Sequence, residues 1–344
     1  MPASSESGRN MKNDNCAIEA GAGSIVETGS SLQKMKKMLN GDFIFKGITV
    51  FFAFSIILIL LLMLFEMTSQ SLPSIRKFGW DFIYSSQWDA VTEEFGALPF
   101  IFGSVVSSIL ALLLATPLSV GAAIFLTEIT PRKIGGIISS LVELLAAIPS
   151  VIYGLWGVLV MAPWLQRTVQ PFLIEHFGSL PFFQGAPYGV SMLAAVLILM
   201  IMVIPIITSI TKEILMAVPQ SQREAAIALG ATRWEMIRMA VLPYGRSGIL
   251  GSVILGLGRA IGETMAVTMV IGNTPQISLS LLNPAYTMPS VIANEFAETT
   301  SDMHASALME IGLILLAVTL IINIIARFLV WSVTRGESRG GMIQ

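Results

Sequence analysis

Six long apolar runs, each with few or no charges, decide what this chain can become. They cover residues 47–65, 96–127, 134–163, 188–210, 247–271 and 307–331. A run of about 20 apolar residues is long enough to cross the hydrocarbon core of a bilayer. Inside lipid every backbone amide and carbonyl must be satisfied within the protein, so such runs predict helices. Composition agrees, with 54% hydrophobic and 12% charged residues, against roughly a quarter charged in soluble domains. The expected fold class is an all-α membrane protein of about six transmembrane helices. The 96–127 run is too long for a perpendicular span and predicts a tilted helix that bends or ends near Pro117. Pro149 breaks the third run. Residues 66–94 and 164–187 read as loops, and 272–306 as a polar connection that is partly re-entrant.

Charge placement orients the spans. Arg132, Lys133, Lys212, Arg223, Arg233, Arg238 and Arg246 fall in alternate connections together with the basic residues of the two ends. The other connections are poor in Lys and Arg, and 272–306 carries Glu295, Glu298 and Asp302 instead. The positive-inside bias then places both termini and the 221–243 stretch in the cytoplasm. Residues 1–40 read as a flexible tail with a basic amphipathic segment, 41–334 as the transmembrane domain and 335–344 as a second tail.

Several chemistries drop out. Cys16 is the single cysteine and His176 and His304 are the two histidines, so no cysteine or histidine metal site is expected. There is no Walker A loop, HExxH, GxSxG or GxGxxG at a strand-to-helix turn, and so no catalytic residue to assign. If ATP drives this protein, another chain binds it.

The longest basic, polar interruption is Arg223 to Pro243. Ser221 with Glu224, and Thr232 with Glu235, have capping-box spacing, and Gly230 lies between them where a helix can end in a left-handed turn. The local reading is helix, glycine turn, helix; an ordinary polar loop is the bland alternative. Arg259 and Glu263 are expected on one helix face at i and i+4, near mid-span, where ionised groups are costly and face the protein interior or a water path. They are either a structural ion pair that fixes helix packing or a substrate site in which the guanidinium fork meets a tetrahedral oxyanion and the carboxylate accepts from a protonated one. Ser150 and Tyr153, at the broken third span, and Thr264 join them as candidate path residues. Glu143 is expected near the cytoplasmic interface, Glu310 and Arg327 near span ends, and both histidines on the surface.

The stretch Glu224-Ala225-Ala226, Gly230, Leu242-Pro243 resembles the EAA segment of inner-membrane subunits of bacterial ABC importers, with Ala240 where the family carries Ile. ALPFIFGSVVSS, VELLAAIPSVIYGLWG, LGRAIGETMAV and IGNTP narrow the resemblance to the C-type permeases of phosphate-specific importers (PstC-like), over 47–334. The resemblance implies a type I importer permease (MetI-like) core, with Arg223, Glu224, Ala225, Ala226, Gly230, Leu242 and Pro243 docking on an ATPase, and Arg259 and Glu263 acting in transport. It further implies a second permease (PstA-like), two ATPase subunits (PstB-like) that use ATP and Mg, and a phosphate-binding protein (PstS-like) outside a bacterial inner membrane. No cofactor on this chain and no nucleic acid are implied. A sulfate or molybdate importer permease, or a proton-coupled secondary anion transporter, are the competing readings.

Overall fold

The structure, a computed structural model, describes residues 7–299 and 301–338, with side chains described for 42–131, 133–299 and 301–331. Of the expected tails, residues 1–6 and 339–344 lie outside the described residues, and 7–40 and 335–338 are described as helical backbone without their side chains. Helical backbone runs from Ser7 to Phe78 (α1). It is followed by α2 (Asp81–Tyr84) and a small antiparallel pair, β1 (Trp88–Asp89) and β2 (Glu94–Phe95), with Trp88 opposite Phe95. Next come α3 (Leu98–Ile124), α4 (Arg132–Ala147), α5 (Ser150–Trp156), α6 (Ala162–Trp164) and α7 (Gln170–Phe177). Then follow α8 (Met192–Met216), α9 (Gln220–Ala228), α10 (Arg233–Met236) and α11 (Leu242–Ile261). The chain closes with α12 (Met265–Val270), α13 (Met288–Glu295) and α14 (Asp302–Ser338).

Among the described residues five helices are long and apolar enough to span a membrane, or six where Lys133–Ala147 and Ser150–Phe177, bent by 88° at their break, are counted as one broken span. Three expectations need correction. The stretch after residue 65 is not a loop at its start, because α1 continues to Phe78. Pro117 neither ends nor breaks α3; packing against α8 outweighs the one hydrogen bond the ring removes. The 164–187 segment stays helical to Phe177 because Pro163 and Pro171 each follow a π turn, Gly157–Met161 and Leu165–Val169, whose wider ring absorbs a residue that cannot donate to the preceding ladder.

Contacts divide the chain into Met1–Glu66 and Met67–Gln344. In the first unit nearly all described side chains are exposed and apolar, among them Phe43, Phe51, Ile57 and Phe65. In the second unit α8 is the centre: 56% of its most apolar window is buried, against 22% for the corresponding windows of α3 and α11. Polar clamps fix its neighbours. Ser119 Oγ of α3 donates to Ile204 O, and Thr208 Oγ1 donates back to Ser119 O. Thr211 and Ser252 hydroxyls join α8 to α11 at 3.0 Å. Gly256 lets α11 press onto α8, since a Cβ there would lie 2.8 Å from Val203.

The 271–287 segment folds back onto the start of α8. Ser191 N donates to Val270 O, Met192 N to Asn283 O and Leu193 N to Leu281 O, while the Ser191 hydroxyl accepts from Ala194 N. These bonds satisfy amides that a helix start leaves open. Nearby, Trp88 Nε1 donates to Glu295 Oε2 at 2.9 Å, and His304 Nε2 lies 3.1 Å from the same oxygen with its ring stacked on Phe95. Burial raises the Tyr286 phenol above its ordinary range, although Asn294 Nδ2 donates to its oxygen. His304 is therefore not a surface residue as expected: it is 5% exposed. Its concealing partners come from distant segments, which local polarity does not reveal.

Candidate functional site

Two neighbourhoods hold the residues singled out from the sequence. The first is the corner between α8 and α11. α9 ends in a Schellman turn: Gly230 takes φ +85, Gly230 N donates to Ile227 O and Ala231 N to Ala226 O. The second helix opens on a complete capping box, with Glu235 N donating to Thr232 Oγ1 and Thr232 N to Glu235 Oε2. The expected Ser221–Glu224 box does not form. Pro219 takes the N-cap position, so Ser221 falls inside the first turn of α9, too far in to cap it.

Arg223, expected to face an ATPase, points inward. Its Nε and Nη2 donate to the Glu128 carboxylate, the shorter contact 2.8 Å, and Nη2 also reaches Leu215 O at 2.7 Å. Nη1 donates to Val218 O. One guanidinium thus caps the end of α8 and ties α9 to the π turn Phe125–Ile129 that follows α3. Glu128 was not anticipated; a lone carboxylate before a proline carries no signal of a partner this remote in sequence. Glu224, Ala225 and Leu229 face outward, and Leu229 is 90% exposed. A shallow cavity of 890 Å³ runs along this face, lined by Ala225, Ala226, Leu229, Gly230, Pro243 and Tyr244 among others.

Pro243 does not end this segment. From Arg233 the helix passes through a π turn at Ile237–Val241 into α11, with Pro243 in the first turn of α11 and Leu242 opening it. The wider turn absorbs a residue that cannot donate to the preceding ladder. The helix that opens on the Thr232 capping box, just past the α9 turn, and the span carrying Arg259 are one continuous helix, Arg233–Ile261.

The second neighbourhood is at the far end of that helix. α11 stops at Ile261, with Gly262 as its C-cap and Glu263 beyond it. Arg259 and Glu263 are therefore not an i, i+4 pair on one helix, and among the described residues they form no ion pair. Glu263 is buried and its Oε1 accepts from Ala266 N at 3.3 Å, capping α12. Thr264 Oγ1 donates to Gly262 O across the break. The two charged residues still share a cavity of 1430 Å³ between α11 and α14, also lined by Gly258, Gly262, Asn323 and Arg327. Arg327, read from the sequence as a span-end residue, and Asn323 are brought here by the packing of α14.

Ser150 and Tyr153 do not line that cavity. Ser150 opens α5 after Pro149, and the Tyr153 hydroxyl donates to Leu145 O at 2.8 Å, joining the Ile148 amide on that carbonyl at the bend. Glu143 pairs with Lys212 of α8 at 3.7 Å, and Lys212 also donates to Ser139. Glu310 is buried at 6% exposure, contrary to the expected interfacial position, because the end of α1 with Ser71 and Ser74 covers that region.

Comparison with known proteins follows the same lines. Residues 115–335 match the family model of the binding-protein-dependent transport system inner membrane component. The chain is 50% identical over 263 residues to the phosphate transport system permease protein PstC of Mesorhizobium japonicum, covering 75% of this chain and 80% of that protein. It is 43% identical over 306 residues to the same-named protein of Haemophilus influenzae, covering 87% and 97%. A bacterial ABC transporter for alginate import shares the fold at TM-score 0.57 and 17% identity, over 81% of this chain and 93% of that one. The chain is thus a multi-pass membrane protein that belongs to the binding-protein-dependent transport system inner membrane components, within the PstC permeases.

Proposed function

We propose that this chain is a transmembrane permease subunit of an ATP-driven importer of inorganic phosphate, set in a bacterial cytoplasmic membrane with both termini inside. The observation that carries the reading is the unbroken Arg233–Ile261 helix. At one end it leaves a capped, outward-facing α9; at the other it presents Arg259 to a cavity. A partner ATPase, using ATP and Mg, seats on the surface of Glu224, Ala225, Ala226, Gly230, Leu242 and Pro243. The Arg223–Glu128 tie makes α9 move with α3 and α8 as a body. A push at α9 then travels along the α10–α11 helix and repositions Arg259.

A tetrahedral oxyanion fits the guanidinium fork of Arg259. One oxygen of Glu263 already holds the Ala266 amide, and the other can accept from a protonated phosphate; sulfate has no proton to give. Thr264 steadies the break between α11 and α12 through Gly262 O, and Ser150 and Tyr153, at the bend that opens α5, are kept out of the anion's contacts. The remaining components are a second permease that completes the path, a second ATPase copy and an extracellular phosphate-binding protein. Names of the relatives favour phosphate over sulfate or molybdate, and no observation favours a proton-coupled carrier.

The test is uptake in proteoliposomes holding all four components. Phosphate enters in an ATP-dependent manner and sulfate does not, and Glu263→Gln narrows that preference. Equal sulfate and phosphate uptake by the unaltered complex overturns the substrate, and uptake without ATP overturns the class.

A further inference from the structure

The α11–α14 cavity contains more positive charge than the sequence assigned to it. α11 starts at the α9 corner, whereas α14 starts beside the end of α1, where Ser306 Oγ donates to Gln70 O. The two helices therefore run in opposite directions, and descending from Arg259 toward the α9 corner means descending α14 from Asn323 toward Trp331. Arg327 is one turn below Asn323, a step of about 6 Å. On the facing wall the residues one and two turns below Arg259 are Leu255 and Gly251, which also line the cavity.

Neither arginine makes a hydrogen bond or ion pair within the described residues. The carboxylate that lines this cavity, Glu263, already accepts from a backbone amide. Gly251 and Gly258 add a second sign: a Cβ at either position would meet nothing within 4 Å. Glycine costs a helix about 1 kcal/mol relative to alanine, and at these two positions the chain's own packing does not require it.

We infer that Arg327, with Asn323 beside it, is a second oxyanion station on the cytoplasmic leg of the path, taking the anion after Arg259 releases it. This deepens the importer reading and rests on it. Alternating the two guanidinium groups between facing helices lets one loosen while the next engages, so the anion never crosses the span unpaired. A lipid headgroup phosphate has the same chemistry, and the experiment separates the two sources.

The complete complex is reconstituted in liposomes of phosphatidylcholine alone and of phosphatidylcholine with phosphatidylglycerol, and initial phosphate uptake and ATP hydrolysis are measured together. In both lipids Arg327→Gln is expected to lower the number of phosphates carried per ATP by about tenfold, the scale of one charged hydrogen bond. Arg327→Lys should recover part of it, and the apparent KM for the loaded binding protein should stay unchanged. Assembly is checked by co-purification of the ATPase; if Arg327→Gln does not assemble, Asn323→Ala is read instead and should lower the same ratio. An unchanged ratio in an assembled variant overturns the second station, while loss of uptake in Arg259→Gln leaves the importer reading standing. Uptake retained in both Arg259→Gln and Arg327→Gln removes the importer path itself. Uptake by the unaltered complex that requires phosphatidylglycerol, with Arg327→Gln indifferent to it, assigns Arg327 to lipid and overturns the proposal.

Discussion

Arg223 and Arg259 stand on opposite sides of one mechanical link and could hardly be treated more differently. Arg223 is spoken for: Glu128 and the carbonyls of Leu215 and Val218 absorb its donors, and its side chain is 13% exposed. Arg259 faces a cavity with its donors free of intramolecular bonds among the described residues. The same fork serves as a clamp where the fold supplies acceptors and as a receptor where it withholds them. In the proposed importer, the first arrangement suits a joint that transmits force and the second a site that handles cargo.

That contrast can be broken in order of effect. Arg223→Ala should cost most, about 3–5 kcal/mol, because the Glu128 carboxylate, 7% exposed, is left charged and unpaired. Hydrogen exchange of the α9 amides should rise sharply and ATPase docking should weaken; unchanged exchange would show the clamp to be idle. Arg259→Gln should leave α9 exchange and thermal stability as they are, yet lower phosphate uptake by about ten- to a hundredfold, as expected for losing a charged hydrogen bond to cargo. A loss of stability of the same size as in Arg223→Ala would erase the distinction between clamp and receptor. Thr232→Ala removes one half of a formed capping box and should destabilise the corner by about 1 kcal/mol, read as a small rise in exchange at Arg233 to Met236. Ser221→Ala should change stability by less than about 0.5 kcal/mol, since its hydroxyl caps nothing.

The spans themselves were legible because hydrocarbon length and backbone satisfaction leave few choices, and the Gly230 turn and the Thr232–Glu235 box were legible because both are made by neighbours in sequence. What escaped was set by distant partners. Pro117 and Pro243 look like helix ends on paper, but packing on α8 and a π turn absorb them. The end of α11 at Ile261 lies inside a run of small and apolar residues with no proline to mark it, so Arg259 and Glu263 read as one helical face. His304 and Glu310 look exposed until Trp88, Phe95 and Ser74 arrive from earlier in the chain. Arg327 looked peripheral because its distance from Arg259 in sequence hides their common cavity.

The bonds that finish the start of α8 have a consequence for biosynthesis. Ser191, Met192 and Leu193 give their amides to Val270, Asn283 and Leu281, residues that leave the ribosome long after α8 itself. A nascent chain that has just inserted α8 therefore holds open amides at the first turn of that helix, which only surface water can satisfy. The helix at the centre of the bundle is among the last to be completed at that end. Chains truncated before Asn283 should insert α8 but leave its first turn frayed and open to quality-control proteases, whereas chains released after it should close that turn.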